Sequence, residues 1–396
     1  MPWNARSVVD ERMVFVSRVL DGERMSEVCR DFGISRKTGY KILARFNEHG
    51  RDGLGDRSRA RHTVRHRVSE EFEERLVELR HAHPTWGARK LHRWLRSHAP
   101  GLRLPAIGTI SRVLKRQGLI LPRKRRGRRN VLPYGAKLRA SSAANELWCI
   151  DFKGQFRLGN GRLCYPLTVT DHYSRFLLGC EALENTQGKP AKEALRQVFR
   201  EYGMPDSMRS DNGPPFASNS IAGLSQLSVW WLKLGISPER IEPGHPEQNG
   251  RHERMHLTLK QETTRPPGRN LLQQQERFDG FARIYNHERP HEALGDETPA
   301  TFYTSSNNQL PKDDPEPTYP LHDLTKRLNK NGCVCFGSPC HVFSIGRALS
   351  YEPIGLREVE DGRWLVSFAQ LDLGYIDLRE RKFEPMESFD LNPLAS

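Results

Sequence analysis

Leu147-Trp148-Cys149-Ile150-Asp151 is an apolar run that ends on a carboxylate. Four apolar residues in a row suit a buried strand, and an acid at the tip of such a strand is costly to ionise without a partner. Two further acids stand in comparable settings. Asp211 lies in Arg209-Ser210-Asp211-Asn212-Gly213, and Glu253 lies in His245-Pro246-Glu247-Gln248-Asn249-Gly250-Arg251-His252-Glu253-Arg254-Met255. Three such acids suit a pair of divalent ions roughly 4 Å apart, which activate the attacking oxygen and stabilise the leaving oxygen of an in-line displacement at phosphorus. Hard ions of this kind take oxygen ligands rather than thiolates or imidazoles. The implied chemistry is phosphoryl transfer, with Asp151, Asp211 and Glu253 as metal ligands and catalytic residues.

Outward from these acids the phrases fall in a fixed order. After the strand-Asp comes Thr168-Val169-Thr170-Asp171-His172-Tyr173-Ser174-Arg175-Phe176, then Ser-Asp-Asn-Gly, then His-Pro-x-x-Asn-Gly-x-x-Glu, and last Tyr285-Asn286-His287-Glu288-Arg289-Pro290-His291. From Glu146 to Tyr303 this resembles the catalytic core of the retroviral-integrase-type transposases of bacterial insertion sequences. The resemblance implies an α/β RNase H-like fold with a mixed five-stranded sheet, and an Asp-Asp-Glu site for two Mg²⁺ (or Mn²⁺) ions. It implies a DNA transposase that binds the inverted repeats of its element, frees a 3′-hydroxyl at each end and joins it to target DNA, as at least a dimer. Asn212, Gly213, Asn249 and Lys260 would shape the loop and contact DNA, since a lysine at the Lys260 position approaches phosphate in that family. Two other readings are a catalytically dead DNA-binding regulator and a structure-selective nuclease on the same scaffold.

Two glutamates compete for the third position. Glu247 is 36 positions after Asp211 (247 − 211), close to the family's usual separation, and Glu253 is 42 positions after it (253 − 211). Glu247 follows Pro246 in a stretch that reads as loop. Glu253 falls in the first turn of a helical run with Leu257 and Lys260 on the same face, at i+4 and i+7, and the Gly-x-x-Glu phrase ends on it. Glu253 is preferred, with the extra residues placed in an insertion at 218–227. Asp171 is placed in a hairpin turn, where Asp bonds backbone amides, rather than at the metals.

Composition points the same way. Lys and Arg number 62 against 48 Asp and Glu, a formal charge of +14, which suits a polyanionic partner such as double-stranded DNA. No stretch approaches a transmembrane span and the first residues carry Asp10 and Glu11 in place of a signal-peptide core, so a cytoplasmic, nucleoid-associated protein is expected. The seven cysteines read as reduced, mostly buried thiols.

The whole chain reads as multidomain. Residues 1–56 form an all-α helix-turn-helix unit, in which Ser26 caps a short helix, Gly33 turns the chain and Ser35 caps a third helix. Ile42, Leu43 and Phe46 then face inward, leaving Arg36, Lys37, Thr38, Tyr40 and Lys41 for DNA. Residues 66–120 form a second such unit, with Trp86 and Trp94 as core and Thr109, Arg112 and Arg116 toward DNA. A basic linker, 121–142, carries Arg123, Lys124, Arg125, Arg126, Arg128 and Arg129, which hold phosphate without reading sequence. The core spans 143–303. A Ser/Asn/Pro/Asp-rich linker covers 304–325, and 326–396 reads as a small β-barrel with Asp361-Gly362 as a hairpin turn. Cys333, Cys335, Cys340 and His341 cluster without a usual finger spacing, so zinc is not expected there.

Overall fold

In the computed structural model, residues 8–56, 68–120, 141–218, 223–241 and 250–386 are described. The chain divides into two compact units, Met1–Ser69 and Glu70–Ser396.

In the first unit α1 (Val8–Leu20), α2 (Met25–Asp31) and α3 (Arg36–His49) bury Phe15, Val16, Val28, Cys29 and Ile42, and Leu54 closes the cluster. The Ser35 side chain accepts from the Thr38 amide and caps α3 as expected, whereas α2 starts two residues earlier than expected. Its N-cap is Arg24, two residues before Ser26 and without a side-chain cap, so Ser26 lies inside the helix. Gly39, in the middle of α3, lets the helices close up. A Cβ there would sit 2.5 Å from Cys29 Sγ and 2.9 Å from Met25 Sδ.

The second unit begins with α4 (Glu70–Ala82), α5 (Ala88–His98) and α6 (Ile107–Arg116), packed through Phe72, Leu76, Leu91, Leu95, Ile110 and Leu114. Trp86 is fully buried and stacks on His83, while Trp94 is half-buried and stacks on His98. Ion pairs tie this bundle to the rest of the unit. Arg89 meets Glu292 at 2.8 Å and Asp296 at 2.9 Å, and Arg93 meets Glu297.

The central sheet is mixed. Its strands are β1 (Leu147–Phe152), β2 (Phe156–Arg157), β3 (Leu163–Asp171), β4 (Leu177–Leu183), β5 (Ser207–Ser210) and β6 (Ser237–Arg240). β3 pairs antiparallel with β1, β2 and β4, whereas β1–β5 and β5–β6 are parallel. The two-residue β2 continues the line of β1 along β3, so the sheet has five full positions, in the order β4-β3-β1-β5-β6. α7 (Gly188–Tyr202) and α8 (Gln226–Lys233) cover one face through Trp148, Ile150, Leu195, Phe199 and Trp231. α9 (Gly250–Thr263) and α10 (Leu271–His287) cover the other through Cys164, Leu177, Met255, Leu259 and Phe278. Adjacent strand residues face opposite sides, so Ile150 enters one layer and Asp151 faces the other.

The 304–325 segment lies along this core. Ser306 N–H donates to Tyr202 O at 2.8 Å, and Asp314 binds Lys192, Arg196 and the Trp230 indole. Beyond it, β7 (Leu324–Arg327), β10 (Pro353–Glu360), β11 (Arg363–Phe368), β12 (Leu371–Asp377) and β13 (Lys382–Pro385) form an antiparallel sheet ordered β13-β12-β11-β10-β7. β8 (Cys333–Phe336) and β9 (His341–Ser344) form a separate hairpin. The expected barrel is thus not closed, because β7 and β13 end the sheet unpaired with each other. Val334, Phe336 and Phe343 of the hairpin, with Val229 and Leu232 of α8, pack against its apolar residues, so closure is not needed to bury them. Cys335 and Cys340 are joined as a disulfide, which departs from the expectation of reduced thiols. Cys29, Cys149, Cys164 and Cys180 are free and buried, and Cys333 is free and half-buried. Among the described residues no helix is long and apolar enough to cross a membrane.

Candidate active site

Asp151 sits one residue from the end of β1, and Asp211 directly follows β5. The parallel register pairs Cys149 with Arg209. Two residues further along each strand, 149 + 2 and 209 + 2, the same register sets Asp151 level with Asp211 on one face. Neighbouring strands run about 4.8 Å apart, so the two carboxylates emerge side by side. Their charges are felt. Burial first, then Asp211 and Glu253, push the Asp151 carboxyl up from 3.8 to about 7, and burial also raises Asp211.

Local bonding fixes Asp211. Its Oδ1 accepts from the Gly213 amide at 3.2 Å, and the Asn212 side chain donates to Ile241 O at 2.7 Å. A Cβ on Gly213 would stand 3.2 Å from Asp211 Oδ2, so glycine leaves the carboxylate its room. Beneath it, buried Arg209 donates to Glu239 Oε1 through Nη2 (2.7 Å) and Nε (3.1 Å), joining β5 to β6.

Glu253 comes from α9, whose buried stripe is His252, Met255, His256, Leu259 and Thr263. Those positions recur at helical spacing. Glu253, Leu257 and Lys260 stand on the exposed side. The stripe carries two groups that sequence reading missed. Thr168 Oγ1, cross-strand from Asp151, lies 2.7 Å from His252 Nε2 and 2.6 Å from His256 Nε2, and Thr170 Oγ1 lies 2.9 Å from His252 Nδ1. His256 Nδ1 faces Asp151 Oδ2 at 3.8 Å. Burial holds both imidazoles neutral, lowering His252 to about 3 and His256 to about 2. Each ring therefore has one N–H.

The Thr168 hydroxyl also donates to Asp151 O at 3.1 Å, so it is left to accept from the Nε2–H of both rings, while Thr170 donates to His252 Nδ1. Hydrogen bonds thus join β3 to α9, and His256 Nδ1 faces the first acid across 3.8 Å without bonding it. The nitrogens of His252 and His256 and the Asp151 carboxylate converge within 4.8 Å of one another, as three ligands of one ion would. The Thr168 hydroxyl stands within hydrogen-bond distance of both rings and fills that space. For Mg²⁺ the fitting donors are the carboxylates.

Asp171 ends β3 with its carboxylate fully used by the turn. It accepts from the Asn145 amide at 2.9 Å, the Ser174 amide at 2.7 Å and the Ser174 hydroxyl at 2.6 Å. The Tyr285–His291 phrase also acts in packing. Asn286 bonds both backbone groups of Leu177, and Arg289 pairs with Glu262 at 2.6 Å.

Among residues expected at DNA, Arg36, Lys37, Thr38, Tyr40 and Lys41 are all exposed on the first half of α3. In the second unit Arg112 is exposed and donates to half-buried Thr109 at 3.1 Å, and Arg116 is paired with Glu73. Arg123, Lys124, Arg125, Arg126, Arg128, Arg129, Asn249, His245 and Glu247 lie outside the described residues.

Comparison with known proteins adds the family. Residues 141–246 and 234–299 each match an integrase core domain, residues 11–62 a helix-turn-helix domain and residues 38–114 a homeodomain-like domain. The chain is 31% identical over 243 residues to the uncharacterized 39.2 kDa protein of insertion element IS476 from Xanthomonas euvesicatoria, covering 60% of this chain and 67% of that one. It is 30% identical over 238 residues to the uncharacterized 31.7 kDa protein of insertion element IS407 from Burkholderia multivorans, covering 58% and 79%. Among solved structures, the HTLV-2 integrase catalytic core domain is 14% identical at a TM-score of 0.34, covering 42% of this chain and 100% of that one. The chain belongs to the insertion-sequence transposases that join helix-turn-helix DNA-binding domains to an integrase-type core.

Proposed function

We propose that this transposase binds the inverted-repeat ends of its element, hydrolyses one phosphodiester at each end and transfers the freed 3′-hydroxyl to target DNA. The observation that carries the reading is the register-level pair Asp151 and Asp211, half-buried and mutually repelling, with the charge of Glu253 beside them. Oxygen donors crowded in this way fit Mg²⁺ or Mn²⁺, because a divalent cation relieves the repulsion that raises Asp151. When bound, such ions supply an activated water and offset charge at phosphorus. The chain's own part is to hold the three carboxylates, with the Thr168 hydroxyl bonded to the Asp151 carbonyl and His256 packed beside its carboxylate. The helix-turn-helix surface of α3 would select the end sequence, and Lys260 would steady phosphate near the acids. Two ends must meet, so two or more copies would assemble on DNA.

The test is to incubate the full chain with Mg²⁺ and labelled end DNA. Joined products are expected. Nicks without joining would make it a nuclease, and bound but intact DNA a regulator. In the same assay Asp211→Asn should bind DNA to within about twofold of the parent while cleavage falls by at least about a thousandfold, ~4 kcal/mol of barrier. Cleavage near the parent rate would remove Asp211 from the site.

A further inference from the structure

A cleft of about 900 Å³ runs between the start of α5, the Asp171–Arg175 turn and the first half of α9, and Glu253 stands on its wall. Its cations are unevenly matched. Arg89 is held by Glu292 and Asp296, and Arg289 by Glu262. Lys90, Arg175, Arg251 and Arg254 also line it, and among the described residues none of these four has a carboxylate at ion-pair distance. They are close enough to repel. Burial, then Arg289 and Arg254, lower Lys90 to about 8 against the opposing pull of Glu262 and Asp296, and Arg251 and Arg254 act on the half-buried Arg175.

Arg175 is the unusual member. Its φ is +63°, and its amide donates to Asp171 O at 2.9 Å to close the turn. That region disfavours an L side chain, and glycine avoids the cost. Backbone strain kept at a residue with a long charged side chain points to use of that side chain, since the turn itself needs no arginine. The first turn of α5, with no side-chain cap at Gly87, adds partial positive charge to the same wall.

We propose that this cleft is a track for the phosphodiester backbone of a DNA strand leading to Glu253, with Lys90, Arg175, Arg251 and Arg254 as the phosphate contacts. Four cations spread over the wall of a cleft of about 900 Å³ favour a chain of phosphates over one small anion, and cations with no carboxylate partner among the described residues are relieved by polyanion binding. The inference rests on the DNA-processing reading of the adjacent acids.

The experiment uses the full chain in EDTA with a random-sequence 40-base-pair duplex, and reads log Kd against log salt. Each lost phosphate contact should flatten the slope by about 0.9. Arg175→Gly should flatten it by about one with a melting midpoint equal to or above the parent, because glycine relieves the backbone while charge is lost. The double variant Lys90→Gln/Arg254→Gln should flatten it by about two. Unchanged slopes in both would overturn the track. A lower midpoint for Arg175→Gly together with weaker binding would make Arg175 structural, and the double variant would then decide. The duplex should protect Lys90 from amine acylation, and inorganic phosphate at equal phosphate concentration should not. Equal protection would mean a pocket for free anions and would overturn the strand assignment. If the parent shows the expected slopes but never cleaves end DNA with Mg²⁺, the proposed activity fails and the track stands. If it cleaves while the cleft variants bind as the parent does, the track fails and the activity stands.

Discussion

Asp151 is held in a state that the fold alone does not favour. Its carboxyl titrates near 7 in the folded chain against 3.8 for an ordinary Asp. A raised folded value means that the stability associated with the protonated acid is complete below pH 3.8 and is lost as pH rises through 7. At pH 8 and without metal, Asp151→Asn should therefore raise stability by on the order of 2 kcal/mol, with no gain at pH 3.5. Thermal melts at the two pH values read this directly, and an equal gain at both would mean that the charge is not the cause. The two glutamates are separable at the same scale. Glu253→Gln should abolish strand cleavage, whereas Glu247→Gln should stay within about tenfold of the parent, ~1.4 kcal/mol of barrier. The opposite pattern in a cleavage assay would show that distance from Asp211 was the better guide.

At the scale of elements, α9 and α10 attach to the sheet by different means. α9 is fastened by imidazoles on Thr168 and Thr170, and the same Thr168 hydroxyl bonds the Asp151 carbonyl, so the helix is attached next to the first acid. His256→Phe fills similar space but removes the imidazole that faces Asp151. Mn²⁺ affinity should fall about tenfold, as when partners of metal ligands are removed, and His256→Asn should recover part of it. A Phe variant with parental Mn²⁺ affinity would leave His256 a packing role only. α10 covers the edge strand β4 by side-chain amides, with Asn286 on Leu177 and Gln275 on Ala182 and Cys180. An edge strand otherwise offers open backbone groups. Asn286→Leu strands two buried backbone groups and should cost about 2–4 kcal/mol in urea unfolding. α10, Leu271–His287, is long enough for its period to show in sequence, and α8 begins at Gln226 where Ser225 and Ser228 form a capping box.

For the whole molecule, the compact unit Glu70–Ser396 holds the helices α4–α6, the acids and the C-terminal sheet, while Met1–Ser69 forms its own cluster. A chain beginning at Glu70 should thus melt within about 3 °C of the parent transition for that unit, consistent with a loss below ~1 kcal/mol. It should also lose much of the preference for end over random DNA that α3 would supply. Competition binding and calorimetry check both. Unaltered preference would move sequence reading to α4–α6 or the core.

The sequence by itself determined which residues form the helices and central strands, and it singled out Asp151, Asp211 and Glu253. Hydrophobic period, caps such as Ser35 and the Asp211-Asn212-Gly213 turn are local, so they act through neighbours in the chain. Only the tertiary structure decided what depends on distant partners. The level placing of Asp151 and Asp211 follows from the β1–β5 register. The roles of His252 and His256 depend on threonines more than eighty residues away. The C-terminal strands alternate as a barrel's would, yet whether their sheet closes was settled by the β8–β9 hairpin and α8 packing against its apolar residues. Pairing and burial between remote segments are set by the free energy of the whole packed chain, and no local pattern encodes them.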